Sequence, residues 1–139
     1  PVNGVATRGN PEMHWSQFAW VALGGALGAS GRFWLSAWLN ELNRSAFPLG
    51  TFAVNSIGSF LFGLLFVVIM SSTALKDPMR LLVLVGFMGA FTTFSTFSFE
   101  TVRLLQEQQF VMAATNVIAN CLVCFIGVWI GSVIARTVI

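Results

Sequence analysis

Charged residues cut this chain into four long uncharged windows. Glu12 to Arg32 encloses 19 residues, Arg44 to Lys76 31, Arg80 to Glu100 19, and Glu107 to Arg136 28. A helix that crosses a bilayer needs about 20 mostly apolar residues, so each window holds one. The pattern predicts an all-α membrane protein with four transmembrane helices near 17–39, 50–71, 80–103 and 110–136. The expected connections run from Asn40 to Leu49, Ser72 to Met79 and Leu104 to Gln109. They leave no room for a soluble domain, so function is expected in or between the helices of one unit, residues 13–139. Residues 1–12 are polar and structureless by composition and Met13 reads as a start; the tail is set aside as a remnant extension. No cleavable signal peptide is expected, because the Ala-Gly-rich first window runs straight into Arg32 and then Phe33-Trp34.

Composition agrees. The 139 residues are 56% hydrophobic and 9% charged, against about 25% charged in an average soluble domain, and the mean hydropathy is +0.81. His14 is the single histidine and precedes the first window, which excludes histidine triads and histidine metal sites. Cys121 and Cys124 form a C-x-x-C in mid-window, beside Leu122, Val123 and Phe125; they are read as small apolar fillers rather than a redox or zinc pair. No enzyme is expected.

The basic residues add a topological hint. Four spans put both termini on one side, with Lys76, Arg80 and Arg136, and also Arg8 of the tail. Arg32, Arg44 and Arg103 fall on the other. Orientation follows from an imbalance of Lys and Arg, and here there is almost none. Such a chain is expected to insert both ways up and to pair as an antiparallel, dual-topology homodimer. Gly24 and Gly28, Gly127 and Gly131, and Gly58 and Gly63 supply small residues for close helix contacts, within or between chains.

The third window ends in Gly86-Phe87-Met88-Gly89-Ala90-Phe91-Thr92-Thr93-Phe94-Ser95-Thr96-Phe97-Ser98-Phe99-Glu100. Hydroxyl side chains at this density compete with helix hydrogen bonding. The third helix is therefore expected to break at Thr-Thr-Phe-Ser-Thr-Phe, freeing backbone groups that must face protein or a cavity rather than lipid. Irregular backbone at that depth is where membrane proteins place ions and substrates.

Polar groups elsewhere converge on the same idea. Asn55 and Ser59 share a face of the second span, and Asn116, Asn120 and Cys124 form a stripe on the fourth. Amides on two helices beside a Ser/Thr-rich break suggest a path lined by donors, which suits an anion; interhelical glue is the plainer alternative. Phe91, Phe94 and Phe97 recur every third residue, and ring edges are weakly positive. Packing is the reading for Phe87 and Phe91. No carboxylate lies strictly inside a window; Glu100 closes the third as a loop acid or pathway-end residue.

Gly24-Gly25-Ala26-Leu27-Gly28-Ala29-Ser30-Gly31-Arg32, Gly50-Thr51-Phe52-Ala53-Val54-Asn55 and Gly86 to Ser98 together resemble the Fluc (CrcB) family of small fluoride channels, from about Phe18 to Ile139. The resemblance implies an antiparallel homodimer in the lipid bilayer of a bacterial inner membrane, exporting cytoplasmic fluoride passively to relieve its toxicity. It implies two fluoride pathways, a structural sodium ion at the dimer centre, and no nucleic-acid partner. By motif position, the backbone carbonyls of Gly89 and Thr92 would hold the sodium. Asn55, Phe94 and Phe97 would meet fluoride, Ser95 and Thr96 would add polar contacts, and Arg32 and Glu100 would sit towards pathway ends. Asn116 and Asn120 would line the fourth-span side, where many relatives carry hydroxyl or tyrosine groups. Ala90 replaces a frequent glycine, and Phe33 a frequent tyrosine. A fluoride/proton antiporter or small drug exporter, and a non-transporting assembly subunit, are the competing readings; an exporter would want a carboxylate within a span.

Overall fold

The computed structural model describes residues 15–71 and 76–139, with the side chain of Lys76 left out. The tail, with Met13, His14 and Arg8, lies outside the described residues. Every described element is helical: α1 (Trp15–Leu42), α2 (Leu49–Ser71), α3 (Lys76–Met79), a π-helical stretch (Arg80–Met88), α4 (Gly89–Phe91), α5 (Phe94–Gln106) and α6 (Phe110–Val138). Grouping the segments from α3 to α5 as one gives four long helices. Leu49–Ser71, Asp77–Gln106 and Phe110–Val138 are long and apolar enough to cross a membrane. At 28 residues α1 has the length, but Gln17, Ser30, Arg32 and Ser36 interrupt its apolar run.

The long helices pack as two pairs. α1 lies chiefly on the π-helical stretch, α2 on α6 along most of its length, and α5 on α6. Glycine decides both main contacts. A Cβ on Gly24 would run into the carbonyl of Leu82, and one on Gly28 into that of Phe87. From the opposite side, a Cβ on Gly86 would stand 2.8 Å from the Val21 carbonyl oxygen. Gly63 meets the Val128 backbone in the same way, and Gly131 meets Phe60. The small-residue pairs at Gly24/Gly28 and Gly63/Gly131 thus serve contacts within the protomer. Close backbone approach is how helices gain van der Waals contact where burying apolar surface against lipid gains little.

The π-helical stretch has no counterpart in the sequence reading, because Arg80–Met88 carries only an ordinary apolar run. π-geometry is rare and usually confined to a single turn. Here it lies where Gly24, Gly28 and Gly86 bring α1 and the third segment into backbone contact.

Corners are closed by side chains. Asn40, in the last turn of α1, accepts a hydrogen bond from the Gly50 N–H (3.0 Å), one of the donors that the first turn of α2 leaves unpaired. Asn43 donates to the Phe47 carbonyl (2.6 Å) and accepts from the Ser45 N–H (3.0 Å), folding the connection tightly. Between α5 and α6, Gln108 takes a positive φ of 59°. The exposed Arg103–Glu107 pair at 3.6 Å adds little.

Much apolar surface stays uncovered. Of the most apolar window of α6 only 11% is buried within the protomer, so its outer face meets lipid or another chain. Trp15, Trp34 and Trp38 are exposed on α1. Cys121 is exposed and Cys124 half-buried on the protomer, both as free thiols.

The glycine contacts predict an asymmetry between neighbours on α1. Gly25→Ala, where a Cβ meets nothing within 4 Å, should leave thermal stability in detergent unchanged or slightly raised, since alanine favours helix by about 1 kcal/mol over glycine. Gly28→Ala should destabilise by about 1–3 kcal/mol, the usual cost of overpacking. Equal melting temperatures for the two variants would contradict the close α1 contact.

Candidate functional site

Helical geometry stops at two residues in the third segment. Thr92 has φ −80° and ψ 156°, and Thr93 φ −149° and ψ 114°, both extended. Gly58 on α2 makes room for them: a Cβ there would strike the Thr92 methyl and approach the Phe91 ring. Two extended residues at membrane depth leave backbone groups that water cannot satisfy.

One side chain answers for Thr93. Asn55 Oδ1 accepts the Thr93 N–H at 2.8 Å, and Asn55 Nδ2 donates to the Thr93 carbonyl at 3.1 Å. The amide pairs with both backbone groups of one residue, as a neighbouring strand would. Thr93 then caps α5: its Oγ1 accepts the Thr96 N–H (3.2 Å) and donates to Thr96 Oγ1 (3.0 Å), with Ser95 Oγ at 3.3 Å. A threonine that satisfies an orphan donor in the first turn stabilises a helix start by about 1 kcal/mol.

The polar groups of α6 join the same cluster. Asn55 Nδ2 also donates to Asn120 Oδ1 at 3.4 Å. Asn120 Nδ2 donates to the carbonyl and to the side-chain oxygen of Asn116 (2.9 and 2.8 Å), and Asn116 Nδ2 donates to Thr101 Oγ1 (2.9 Å). Asn116 is fully buried and Asn120 5% exposed. Both hydrogens of the Asn55 amide are therefore engaged within the protomer, where the sequence reading held them free for an anion.

Beside this cluster, Thr51 Oγ1 donates to Glu100 Oε1 at 2.9 Å. Glu100 Oε2 is buried with no partner among the described residues, and so is Ser56 Oγ. Arg32, half-buried on α1, contributes to none of these bonds.

A cavity of about 340 Å³ opens against the extended residues. Asn55, Ser59, Thr93 and Asn120 supply its polar wall, and Phe94, Phe97 and Cys124 part of its apolar one. The Phe94 and Phe97 rings are 5.5 Å apart and tilted by 49°; Phe94 is 78% exposed while Phe97 is buried. Phe87 and Phe91 stack on one another at 5.7 Å, with Phe91 also against Gly31 and Gly58. Ser95 and Thr96 are exposed beside the cavity wall. Asn116 stays behind that wall.

The carbonyls of Gly89 and Thr92 have lost their usual helical donors. The amide four residues after Gly89 is that of Thr93, which donates to Asn55. The amide four residues after Thr92 is that of Thr96, which donates to Thr93 Oγ1. Gly89 is exposed on the protomer, and a Cβ on it would meet only Leu84 O, at 3.9 Å. Carbonyl oxygens relieved of N–H donors in this way are hard ligands of the kind a hard cation takes.

Three residues central to this geometry, Thr93, Thr51 and Thr101, carry no assigned site role in the sequence reading, although Thr93 stands in the expected break. Thr93 was there to be found as an N-cap, a threonine three residues before Thr96 at a helix restart. Thr51 stands one helical turn before Asn55, on its face. Thr101 gave no signal of its own, since only the packing of α5 on α6 brings it to Asn116.

The family described as CrcB-like protein, Camphor Resistance (CrcB), matches over residues 19–132. A protein of Trichlorobacter lovleyi is 47% identical over 119 residues, covering 86% of this chain and 95% of its own length. One of Magnetococcus marinus is 45% identical over 126 residues, 88% of this chain and 99% of that one. One of Geotalea daltonii is 44% identical over 116 residues, 84% and 94% respectively. Each bears the name fluoride-specific ion channel FluC.

Thr93 is the cap on which the site turns. Thr93→Ser should keep stability within a few tenths of a kcal/mol, and Thr93→Ala should lose about 0.5–2 kcal/mol. Thermal unfolding in detergent checks the ranking, together with amide exchange at Thr96, which should quicken in the alanine variant alone. Equal exchange in both variants would remove the cap from the account.

Proposed function

This chain belongs to the CrcB-like family, and on that premise we propose that it is a fluoride-specific ion channel that exports cytoplasmic fluoride passively and so relieves its toxicity. The observation that carries the reading is identity of 44–47% with proteins of that name over 84–88% of the chain. Its chemistry fits. Fluoride is small and strongly hydrated, so a pore must return hydrogen-bond donors for the water it removes.

Asn55, Phe94, Ser95, Thr96, Phe97 and Asn120 line or flank the anion path in this reading, with Asn116 behind them and Arg32 and Glu100 towards its ends. The edges of Phe94 and Phe97 add weakly positive surface. Extended backbone at Thr92 and Thr93 divides the third span into two half-helices around this point, and α1 completes a bundle of four spans.

The channel is an antiparallel, dual-topology homodimer in the inner membrane of a bacterium. Its support is the near balance of basic residues on the two sides and the apolar surface that the protomer leaves open. A structural sodium ion fits at its centre, held by the carbonyls of Gly89 and Thr92. When bound it supplies a fixed positive charge between two anion paths. The chain's own part is to keep those carbonyls turned away from helical donors, which Asn55 and the Thr93 hydroxyl do.

A second reading, fluoride/proton exchange, draws on the half-satisfied carboxylate of Glu100. Proteoliposomes loaded with fluoride separate the two. A passive channel should release fluoride under a potassium–valinomycin potential with or without a proton ionophore, whereas obligate dependence on a proton gradient would favour exchange. Asn55→Asp replaces donors with negative charge and should abolish efflux; full efflux from a well-folded Asn55→Asp protein would sink the assignment of Asn55. Phe94→Ile should slow efflux without dissociating the dimer.

Assembly has its own test. Reporters fused after Ile139 should appear on both faces of the membrane, and prolonged sodium depletion should lower the dimer fraction on size exclusion. A single orientation would refute dual topology, and a dimer indifferent to sodium would remove the ion from its centre.

A further inference from the structure

The hydrogen bonds around the extended residues form a line with a direction. The Thr93 N–H can only donate, which turns the Asn55 oxygen towards it. The Asn55 NH2 faces the other way, to the Thr93 carbonyl and to Asn120 Oδ1. Asn120 donates to Asn116, Asn116 donates to Thr101 Oγ1, and Thr101 donates to the Phe97 carbonyl at 2.8 Å, which can only accept. The line begins at the cap of α5, crosses α2 and α6, and returns to α5 one turn on. Every amide in it accepts on oxygen and donates on nitrogen, so reversing one sets oxygen against oxygen.

Within this line Asn120 has no freedom to turn. Its NH2 sits on two acceptors of Asn116, one of them a backbone carbonyl that never donates. Its oxygen must then face Asn55. At 5% exposure it also has little room for water to replace a lost bond. Asn55 is less enclosed: both side chains line the cavity, but Asn55 is only half-buried. An amide hydrogen left without an acceptor there would draw the side chain towards the cavity and away from Thr93.

We infer that Asn120 is a positioning residue: by taking the second hydrogen of the Asn55 amide, it holds Asn55 against Thr93 and so fixes the start of α5. Its consequence for transport rests on the fluoride-channel reading; its consequence for Thr93 does not. Asn116 extends the same hold to Thr101 and the Phe97 carbonyl.

The test uses the full-length dimer and two variants. Asn120→Leu keeps the branched shape and removes the acceptor, together with the NH2 that donates to Asn116. Asn120→Ser keeps the fold more safely, because its hydroxyl bonds back to the Asn116 carbonyl but falls short of Asn55. Amide hydrogen exchange at Thr93 should quicken by roughly tenfold in Asn120→Leu, the scale of losing about one buried hydrogen bond, and less in Asn120→Ser. Fluoride efflux per folded dimer should fall in the same order. In an Asn55→Ser background Asn120→Leu should cost no further efflux, since the residue it positions is gone. Unchanged exchange at Thr93 in either folded variant would overturn the inference. So would efflux losses that multiply in the double mutant, which would mean that Asn120 acts by its own contact or through stability alone. A wild-type protein that passes no fluoride would overturn the channel reading instead, and exchange at Thr93 would still decide the role of Asn120.

Discussion

A lipid bilayer leaves no backbone N–H or C=O without a partner, and the fold turns on how Thr93 meets that demand. Each such group left bare in hydrocarbon costs several kcal/mol. Thr93 lies between α4 and α5 with extended angles, so its N–H has no helical partner, and its carbonyl meets helix only as the cap of α5. Asn55 serves both its groups at once, with bonds of 2.8 and 3.1 Å. That reciprocal pair ties α2 to the third segment. It also turns the Thr93 amide away from the Gly89 carbonyl, while the Thr93 hydroxyl turns the Thr96 amide away from Thr92. The carbonyls exposed this way are by-products of satisfying Thr93.

Around this point the packing follows from missing side chains. Gly58 admits the Thr92 methyl, Gly24 and Gly28 admit the backbone of the π-helical stretch, and Gly63 and Gly131 bring α2 and α6 together. A short approach between α2 and α6 is what lets Asn55 and Asn120 reach one another. The polar seam and the glycine contacts are thus one arrangement. Remove the approach and the amides separate; remove the amides and the approach buries unpaired polar groups.

The seam gives the cavity its character. One wall carries the Asn55 and Asn120 amides and the Thr93 hydroxyl, whose own partners hold them in place, and the other carries aromatic rings. Donors already arranged lose little entropy when they meet an ion, which is how a pore can replace a hydration shell. Glu100 stands apart from the amides, bound through one oxygen to Thr51 and bare at the other. It is the one carboxylate with a buried, unpartnered oxygen among the described residues, and so the natural place for any coupling to protons.

The sequence by itself determined that the protein is helical and apolar, because charge-free windows of helical length leave the backbone no other way to satisfy itself in lipid. It also located the irregular stretch, since threonines and serines crowded at Thr92, Thr93, Ser95 and Thr96 compete for backbone hydrogen bonds wherever they stand. Asn55, Asn116 and Asn120 were legible as a polar set for the same local reason: amides in an apolar run need partners. Which partners they take was decided only by tertiary structure. Periodicity puts Asn116 and Asn120 on one stripe, yet the crossing of α5 on α6 buries Asn116 against Thr101, while α2 on α6 brings Asn120 to Asn55 and the cavity. The glycines were legible as contact points, but whether Gly24 and Gly28 face the same chain or another is a matter of docking; here they face Leu82 and Phe87. The π-helical geometry of Arg80–Met88 was not legible at all. A wide turn leaves no mark on an apolar run, because it answers to the neighbour it packs on rather than to its own residues.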